Sequence, residues 1–347
     1  MPVSKLDGAD QDALRIAAEA GIHRIPVPTP FAIGDVNLYL VEGDRLMLVD
    51  AGPNAATSLG ALETGLRTLG RRIADLEVLF VTHQHIDHIG LAGEIARRSG
   101  AELVCLDLLA PVLEEWAVYS EQDDDDAFLL MSRHGVEPHV AEALHAVASV
   151  VRGWGAPASV DRTVFDGETL TVGDRTFVVG WRPGHSPSDT ILHEPSTGIL
   201  LAGDHLLKDI SSNAVIARPM GEPLGPWPAD RHRPTPLLQY RSSLRATWDL
   251  EVTVALGGHG GPVLGHRDLI DARLAGHARR AEEFLDLLRR AGRPLSAHEI
   301  ATERWGEVAI TQAFLTLSEV LGHLDMLIGD GAVDEDRSEH VVRFAPR

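Results

Sequence analysis

Short hydrophobic runs alternate with helix-like segments along the first part of the chain. Runs of about four to six residues that are mostly apolar predict strands buried in a sheet. Such runs occur at residues 23–27, 36–41, 45–49, 78–81 and 102–106. Between them, apolar positions recur at helical spacing over residues 9–20, 55–69 and 89–99. This part of the chain is therefore predicted to be rich in strands, with helices between them.

The pattern changes over residues 107–160, which are mostly helix-like. Four consecutive aspartates at residues 123–126 belong to this segment, and we interpret them as a solvated loop or helix end. Strand-like spacing then returns at residues 170–172, 176–181, 190–193, 198–202 and 251–256. A loop rich in proline and glycine precedes the last of these runs, at about 211–236. The sequence therefore predicts a helical insertion between two β-rich halves.

The residues after 265 predict a different kind of unit. A long amphipathic helix spans about 267–291 and stops at Gly292. Ser296 is predicted to cap the next helix, and a further helix covers residues 310–328. The two strands of a small wing are expected at residues 332–336 and 340–344. Helix, helix and wing in this order predict a small winged-helix-like domain.

The composition restricts the partners and the compartment that we expect. The chain has 51 acidic and 31 basic residues, which give a formal net charge of −20. Such a surface repels polyanions, so nucleic acids and anionic membranes are not expected partners. Cys105 is the only cysteine, which excludes an intrachain disulfide. The first residues lack the apolar run of a signal peptide, and no stretch of about 18 apolar residues predicts a membrane span, so the expected location is the cytoplasm.

Histidine and aspartate are concentrated in the segment 82–88, which reads THQHIDH. It begins where an apolar strand is predicted to end, which is where α/β proteins place functional groups. His83 and His85 are two residues apart, so in an extended segment they point the same way. Asp87 and His88 follow where the chain is predicted to turn into a helix. Imidazole and carboxylate are ligands that zinc accepts, so this segment predicts a metal site.

Three further candidate ligands follow other predicted strands. His185 lies in PGHSPSD, Asp204 in GD, and His259 in GHG. The adjacent glycines let the backbone approach a bound ion closely. Four ligand segments, each at the end of a strand, indicate a metal centre much more strongly than any one of them.

With THxHxDH, PGHSPSD, GD and GHG in this order, the chain resembles the metallo-β-lactamase superfamily over roughly residues 20–265. The resemblance implies an α+β fold, a four-layer αββα sandwich in which helices cover both outer faces of two sheets. It also implies two divalent metal ions. The implied ligands are His83, His85 and His185 for one ion, Asp87, His88 and His259 for the other, and Asp204 as a bridge between them. Asp50 matches a position that orients a ligand histidine.

The resemblance implies hydrolysis by a water that two metal ions activate, with Asp87 as a catalytic group that helps to move the proton. Zinc is the expected metal, and iron and manganese stay open because these ligands accept all three. A bridging aspartate is usual in thioesterases similar to glyoxalase II, in acyl-homoserine lactonases and in phosphodiesterases of the superfamily. We expect an activated carboxyl compound as substrate, thioester before lactone. The alternatives are a metal-dependent ribonuclease or phosphodiesterase, and a metal-bound binding or regulatory protein without turnover.

We divide the chain into a catalytic domain, residues 1–265, and a C-terminal domain, residues 266–347. The C-terminal part resembles the winged-helix tail of the lactamase-β-like group, but its acidic residues favour a structural or dimer-forming role over nucleic-acid binding. The insertion and the loop 205–240 are expected to cover the metal cleft, which suits a small-molecule substrate. The candidate substrate-binding residues on that loop are His205, Lys208, Ser211 and Asn213.

Overall fold

The computed structural model describes residues 6–221 and 232–347, so residues 222–231 of the predicted loops at 211–236 and 205–240 lie outside the described part. The strands are β1 (Ile22–Val27), β2 (Val36–Val41), β3 (Met47–Val49), β4 (Val78–Val81), β5 (Glu102–Leu106), β6 (Arg162–Val164), β7 (Thr169–Val172), β8 (Arg175–Trp181), β9 (Thr190–Glu194), β10 (Ile199–Gly203), β11 (Val254–Gly257), β12 (Val333–Asp336) and β13 (Arg343–Pro346). All but β6 fall on or beside a strand that the hydrophobic pattern predicts.

Helices precede β1 and lie in the connections β3–β4, β4–β5, β5–β6, β10–β11 and β11–β12. They are α1 (Gly8–Glu19), α2 (Ala56–Thr68), α3 (Ile86–Ile89), α4 (Ala92–Ser99), α5 (Ala110–Glu114), α6 (Trp116–Arg133), α7 (Pro138–Val151), α8 (Pro236–Trp248), α9 (His266–Ala291), α10 (Ala297–Trp305), α11 (Val308–Thr311) and α12 (Ala313–Gly329). In the part of the chain that the structure describes, no helix is long and apolar enough to cross a lipid bilayer.

Most of the described strands belong to two mixed sheets. One has the order β1-β2-β3-β4-β5-β6, and the other has the order β11-β10-β9-β8-β7. In the first sheet β3 to β6 run parallel, and in the second β10 and β11 do so. Gly203 at the end of β10 pairs with Gly257 at the end of β11. The segments that follow these two strands therefore leave the sheet side by side.

The two sheets pack face to face with helices on their outer sides. Successive residues of a strand point to opposite faces. Phe80 of β4 accordingly lies in a buried cluster with Phe177 of the other sheet, whereas its neighbour Leu79 packs with Leu62 of α2. On the far side of the second sheet, Leu200 packs with Tyr240 of α8. The predicted αββα sandwich is therefore confirmed.

The insertion between β5 and β6 is helical, as the sequence predicts, but our interpretation of its acidic run is wrong. The four aspartates lie inside α6, and each of them has a partner. Asp125 Oδ1 lies 2.9 Å from His145 Nε2 on the exposed side. Asp124 Oδ2 lies 2.9 Å from Arg152 Nε, and Asp126 Oδ2 lies 2.8 Å from Arg218 Nη1. Asp123 Oδ1 accepts a hydrogen bond from the Arg218 N–H at 2.9 Å. Successive residues of a helix point in different directions, so one acidic run holds two separate segments of chain.

The C-terminal segment consists of α9 to α12 and the antiparallel pair β12–β13. The predicted cap is confirmed, since Ser296 Oγ accepts a hydrogen bond from Glu299 N at 3.1 Å. The single helix expected over 310–328 is instead two, because the backbone of Gln312 leaves helical geometry at φ −127°. The core of this segment includes Met131 and Ala141 from the insertion. The two parts of the chain therefore share one buried core, and the winged-helix comparison stays a prediction.

Candidate metal centre

The segment THQHIDH forms the floor of the candidate site, between the end of β4 and the short helix α3. His83 is fully buried, His88 is fully buried, and Asp87 is 8% exposed. His85 is half-buried and stands at the start of α3. The extended part of the segment thus presents the first two histidines, and the helical turn presents the next two ligand candidates.

The structure brings all seven predicted ligands together in two adjoining clusters. The ligand atoms within each cluster lie within 4.8 Å of one another. The clusters are His83, His85, His185 and Asp204, and Asp87, His88 and His259. Asp204 also faces the second cluster, because its Oδ1 lies 3.5 Å from His88 Nε2 and its Oδ2 lies 3.5 Å from His259 Nε2. The carboxylate of Asp204 therefore stands between two groups of histidines.

Three imidazole nitrogens converge in the first cluster. His85 Nδ1 lies 3.1 Å from His83 Nε2 and 2.9 Å from His185 Nε2. Burial and the neighbouring imidazoles hold the pKa of His83 well below its usual range. Burial and His185 lower the pKa of His85 to about 3. These two rings are therefore neutral at physiological pH, which is the form that binds a metal ion.

Buried polar atoms without hydrogen bonds mark the space between the clusters. Among the described residues, His88 Nε2, His259 Nε2 and Asp204 Oδ1 have no hydrogen-bond partner. Burial opposes a proton on His88, but the carboxylates of Asp50 and Asp204 outweigh it and raise the pKa of His88 well above its usual range. Burial would raise the pKa of Asp204, yet His259 and His88 hold it well below that range. Unsatisfied buried donors and acceptors need a partner, and divalent cations fit this set of nitrogen and carboxylate ligands.

Asp50 and Thr82 lie behind the floor of the site and form hydrogen bonds with its histidines. Asp50 accepts hydrogen bonds from Thr82 N at 2.9 Å and Thr82 Oγ1 at 3.0 Å, and its Oδ2 lies 2.8 Å from His88 Nδ1. Thr82 Oγ1 also lies 2.9 Å from His83 Nδ1. Asp50 has a positive φ of 65°, which aspartate tolerates better than most residues. The sequence predicts the supporting role of Asp50, whereas Thr82, which begins the motif THQHIDH, becomes recognisable as a support only through these contacts.

Backbone carbonyls orient two other histidines. His185 Nδ1–H donates to the carbonyl of Asn213 at 2.9 Å, and His259 Nδ1–H donates to the carbonyl of Asp35 at 2.9 Å. Each of these bonds fixes the proton on Nδ1 and leaves Nε2 directed at its cluster. Asp189, which the sequence analysis missed, accepts hydrogen bonds from Ser186 N and Oγ and so shapes the loop that carries His185.

An apolar cleft of about 300 Å³ opens beside the two clusters. His85 and Asp87 lie on its floor. Its walls come from Phe31 between β1 and β2, from the insertion, from residues 215–217 and from the start of α12. The wall residues are Phe31, Trp116, Tyr119, Ser120, Asp123, Asp124, Ala148, Val151, Arg152, Val215, Ala217 and Phe314. Residues of the insertion and of the loop after β10 thus border the cleft, and the expectation that these segments cover it stays a prediction.

The four residues suggested for substrate binding do not line this cleft. His205 is buried and its Nε2 lies 2.9 Å from Thr247 Oγ1 on α8. Lys208 Nζ forms an ion pair with Asp10 Oδ1 of α1 at 2.6 Å. Ser211 is exposed, and Asn213 contributes its carbonyl to His185. None of the four therefore lines the cleft, and Asn213 supports the ligand candidate His185 through its carbonyl.

Residues 32–259 match the sequence profile of the metallo-beta-lactamase superfamily, and the chain belongs to that superfamily. It is 30% identical over 320 residues to the probable metallo-hydrolase YqjP of Bacillus subtilis (strain 168), covering 92% of this chain and 96% of YqjP. A crystal structure of a metallo-beta-lactamase family protein from Thermus thermophilus superimposes with a TM-score of 0.77 at 28% identity, covering 94% of this chain and 99% of that one. The crystal structure of a beta-lactamase domain protein from Burkholderia ambifaria superimposes with a TM-score of 0.78 at 26% identity, covering 94% of this chain and 92% of that one.

Replacing Asp50 with asparagine is expected to weaken metal binding while leaving the fold intact. Asparagine accepts the positive φ and the hydrogen bond from Thr82, but it lacks the charge that favours the orientation of His88. Loss of such a supporting carboxylate typically costs about 10- to 100-fold in metal affinity or activity. Competition with a chromogenic chelator measures the affinity. An unchanged metal affinity in a folded D50N variant would contradict the role assigned to Asp50.

Proposed function

We propose that this chain is a hydrolase that uses two divalent metal ions and water to cleave an activated carboxyl compound, thioester before lactone. The observation that carries the proposal is the pair of buried His/Asp clusters with Asp204 between them, open to an apolar cleft. The Bacillus subtilis relative, which matches almost the whole chain, is named as a probable metallo-hydrolase. Membership of the superfamily and the ligand geometry support the same class of reaction.

The residues of the chain have distinct tasks in this proposal. Divalent ions bound at the two clusters would act as Lewis acids and would lower the pKa of a bound water toward neutrality. Asp87 belongs to the second cluster and also lines the cleft. Its Oδ2 lies 3.3 Å from His259 Nε2, and its carboxylate is placed to accept or pass on a proton. The apolar walls exclude bulk water from the reacting carbonyl, which strengthens the electrostatic interactions there.

We favour zinc as the metal, because the ligands are mostly imidazole and the rest are carboxylate. Iron and manganese remain alternatives within the same ligand set. Elemental analysis of the protein purified without added metal separates the three. About two equivalents of metal per chain are expected.

The cleft supports a carboxyl compound better than a phosphodiester. Asp123 and Asp124 stand in its wall, and Arg152, the cation among its described lining residues, is paired with Asp124 at 2.9 Å. Two metal ions would bind the reacting phosphate themselves, but a nucleic acid carries further phosphates along its chain, and contacts to these need free cations that the described wall does not offer. A protein that binds metal without turnover is the remaining alternative.

Metal removal tests the proposal directly. The purified protein is dialysed against a chelator and assayed with a model thioester, a lactone and a phosphodiester of similar size. Hydrolysis of the thioester is expected to disappear with the metal and to return when zinc is added back. A metal-dependent rate on the phosphodiester alone would favour the phosphodiesterase, and full metal content with no rate on any substrate would favour the binding protein.

A further inference from the structure

The cleft beside the metal centre is assembled from distant parts of the chain, and most of its wall is apolar. Trp116 and Val151 come from the insertion, Val215 from the loop after β10, and Phe314 from the start of α12. The indole N–H of Trp116 already donates to the Arg152 carbonyl at 3.4 Å, and the other three side chains have no polar atoms. They therefore retain a ligand through the apolar area that they remove from water. The wall therefore suits a hydrocarbon group.

The helix α6 gives the same cleft a negative side. Asp124 is neutralised by its ion pair with Arg152. Asp123 accepts a hydrogen bond from the backbone N–H of Arg218, and the Arg218 guanidinium, which pairs with Asp126, offsets only part of the effect of burial on the pKa of Asp123. Burial raises the pKa of Asp123 to about 6, so its carboxylate is still mostly ionised at pH 7. Asp123 therefore repels an anionic group that enters along α6.

Exposed apolar side chains follow or precede lining residues of the cleft on two helices. On α7, Val147 is 57% exposed and Val150 is 73% exposed, and each is next in sequence to a lining residue. On α12, Leu315 is 42% exposed and follows the lining residue Phe314. Both helices therefore carry apolar residues beyond those that line the cleft.

We infer that the substrate of this chain places an uncharged, apolar acyl group in the cleft, with Phe314 favouring the acyl chain and Asp123 disfavouring an anionic portion of the molecule. This inference rests on the proposed function, because it assigns the substrate class of the same site. It selects acyl esters or thioesters of small neutral or cationic partners. It disfavours thioesters whose leaving group carries several negative charges.

Binding of amides that the enzyme is not expected to hydrolyse tests the inference without relying on turnover. The probes are N-propylhexanamide, N-propylacetamide and the anionic N-hexanoyl-β-alanine, titrated by calorimetry against the full-length protein. The hexanoyl amide is expected to bind roughly tenfold or more tightly than the acetyl amide, because four further methylene groups are buried. The anionic probe is also titrated against metal-free protein, so that binding to a metal ion is separated from binding to the cleft wall.

Two variants with matched controls assign the preferences to single residues. Phe314→Ala should lower the affinity for the hexanoyl amide about tenfold and leave the acetyl amide unchanged, whereas Val308→Ala, an exposed change in the same segment, should alter neither. Asp123→Asn keeps an oxygen that can accept from the Arg218 N–H, and it should raise the affinity for the anionic probe roughly three- to fivefold. Asp125→Asn removes the same charge from an exposed position outside the cleft and should leave the affinity for that probe unchanged.

The possible outcomes separate the inference from the proposed function. The inference is overturned if none of the probes binds, if acetyl and hexanoyl amides bind equally, or if the anionic probe binds as tightly as the neutral one. The same holds if Phe314→Ala and Val308→Ala behave alike. If the amides follow the expected pattern but no thioester is hydrolysed, the proposed function fails while the substrate-class assignment of the cleft stands.

Discussion

Replacing Asp204 with alanine is expected to remove bound metal and hydrolysis together. Its Oδ2 lies 3.5 Å from His185 Nε2 and 3.5 Å from His259 Nε2, and its Oδ1 lies 3.5 Å from His88 Nε2. No other carboxylate among the described residues belongs to the first cluster. Because the loss of a merely supporting group already costs about 10- to 100-fold, the loss of this shared group should exceed roughly 100-fold in kcat/KM.

The measurement combines metal content with kinetics on the most active model substrate. Metal content should fall from about two equivalents to one or fewer. Asp286→Ala removes an exposed carboxylate of α9 and serves as the control that retains both metals and the full rate. Circular dichroism establishes that the D204A variant is folded. A folded variant that keeps two equivalents of metal and the wild-type rate would refute the bridging role of Asp204.

Replacing Gly258 with alanine is expected to disturb the metal centre without touching a ligand. The added Cβ would overlap Asp204 Oδ1 and would lie 2.7 Å from His88 Cε1. The backbone cannot withdraw easily, because Gly258 N donates to the Gly203 carbonyl and the Gly258 carbonyl accepts from Asn37 N, both at 2.7 Å. Asp204 must therefore turn away from one cluster, and we expect a loss of roughly 10- to 100-fold in metal affinity, similar to the loss of a supporting group.

The matched control for this substitution is Gly60→Ala on α2, where an added Cβ meets nothing within 4 Å. Alanine is favoured over glycine in a helix by about 1 kcal/mol, so this control should keep its activity and gain slightly in stability. Metal affinity is measured by chelator competition and stability by urea unfolding. Equal metal affinities in the two variants would show that Asp204 accommodates the added Cβ, and would contradict the prediction that a side chain at position 258 weakens metal binding.

The ligand clusters were predictable because their signals are local. Each ligand segment sits where a hydrophobic run ends, and the order of the strands brings those ends to one edge of the sandwich. The pairing of Gly203 with Gly257 shows how this works, since it sets Asp204 and His259 side by side. A periodic pattern and a few short motifs therefore carry enough information for the floor of the site.

The walls of the site could not be predicted in the same way because they depend on contacts between distant segments. Phe314 reaches the cleft from a part of the chain that the sequence assigns to a separate domain. The aspartates of α6 looked solvated because their partners, Arg152 and Arg218, are far away in sequence. His205 looked close to the centre because it follows Asp204, yet its ring turns toward Thr247 of α8.

Asn213 links the ligand His185 to the C-terminal helix, since its carbonyl accepts from the imidazole and its Nδ2 donates to the Leu315 carbonyl at 3.1 Å. Ile216 N, three residues further on, donates to Ser318 Oγ at 3.2 Å. An ion that holds His185 in place would therefore also favour the docked position of α12. Thermodynamic reciprocity then requires that docking of α12 increases the affinity for the metal ion by the same factor. Metal retention and the resistance of the C-terminal segment to proteases should therefore rise and fall together, because both depend on the same equilibrium.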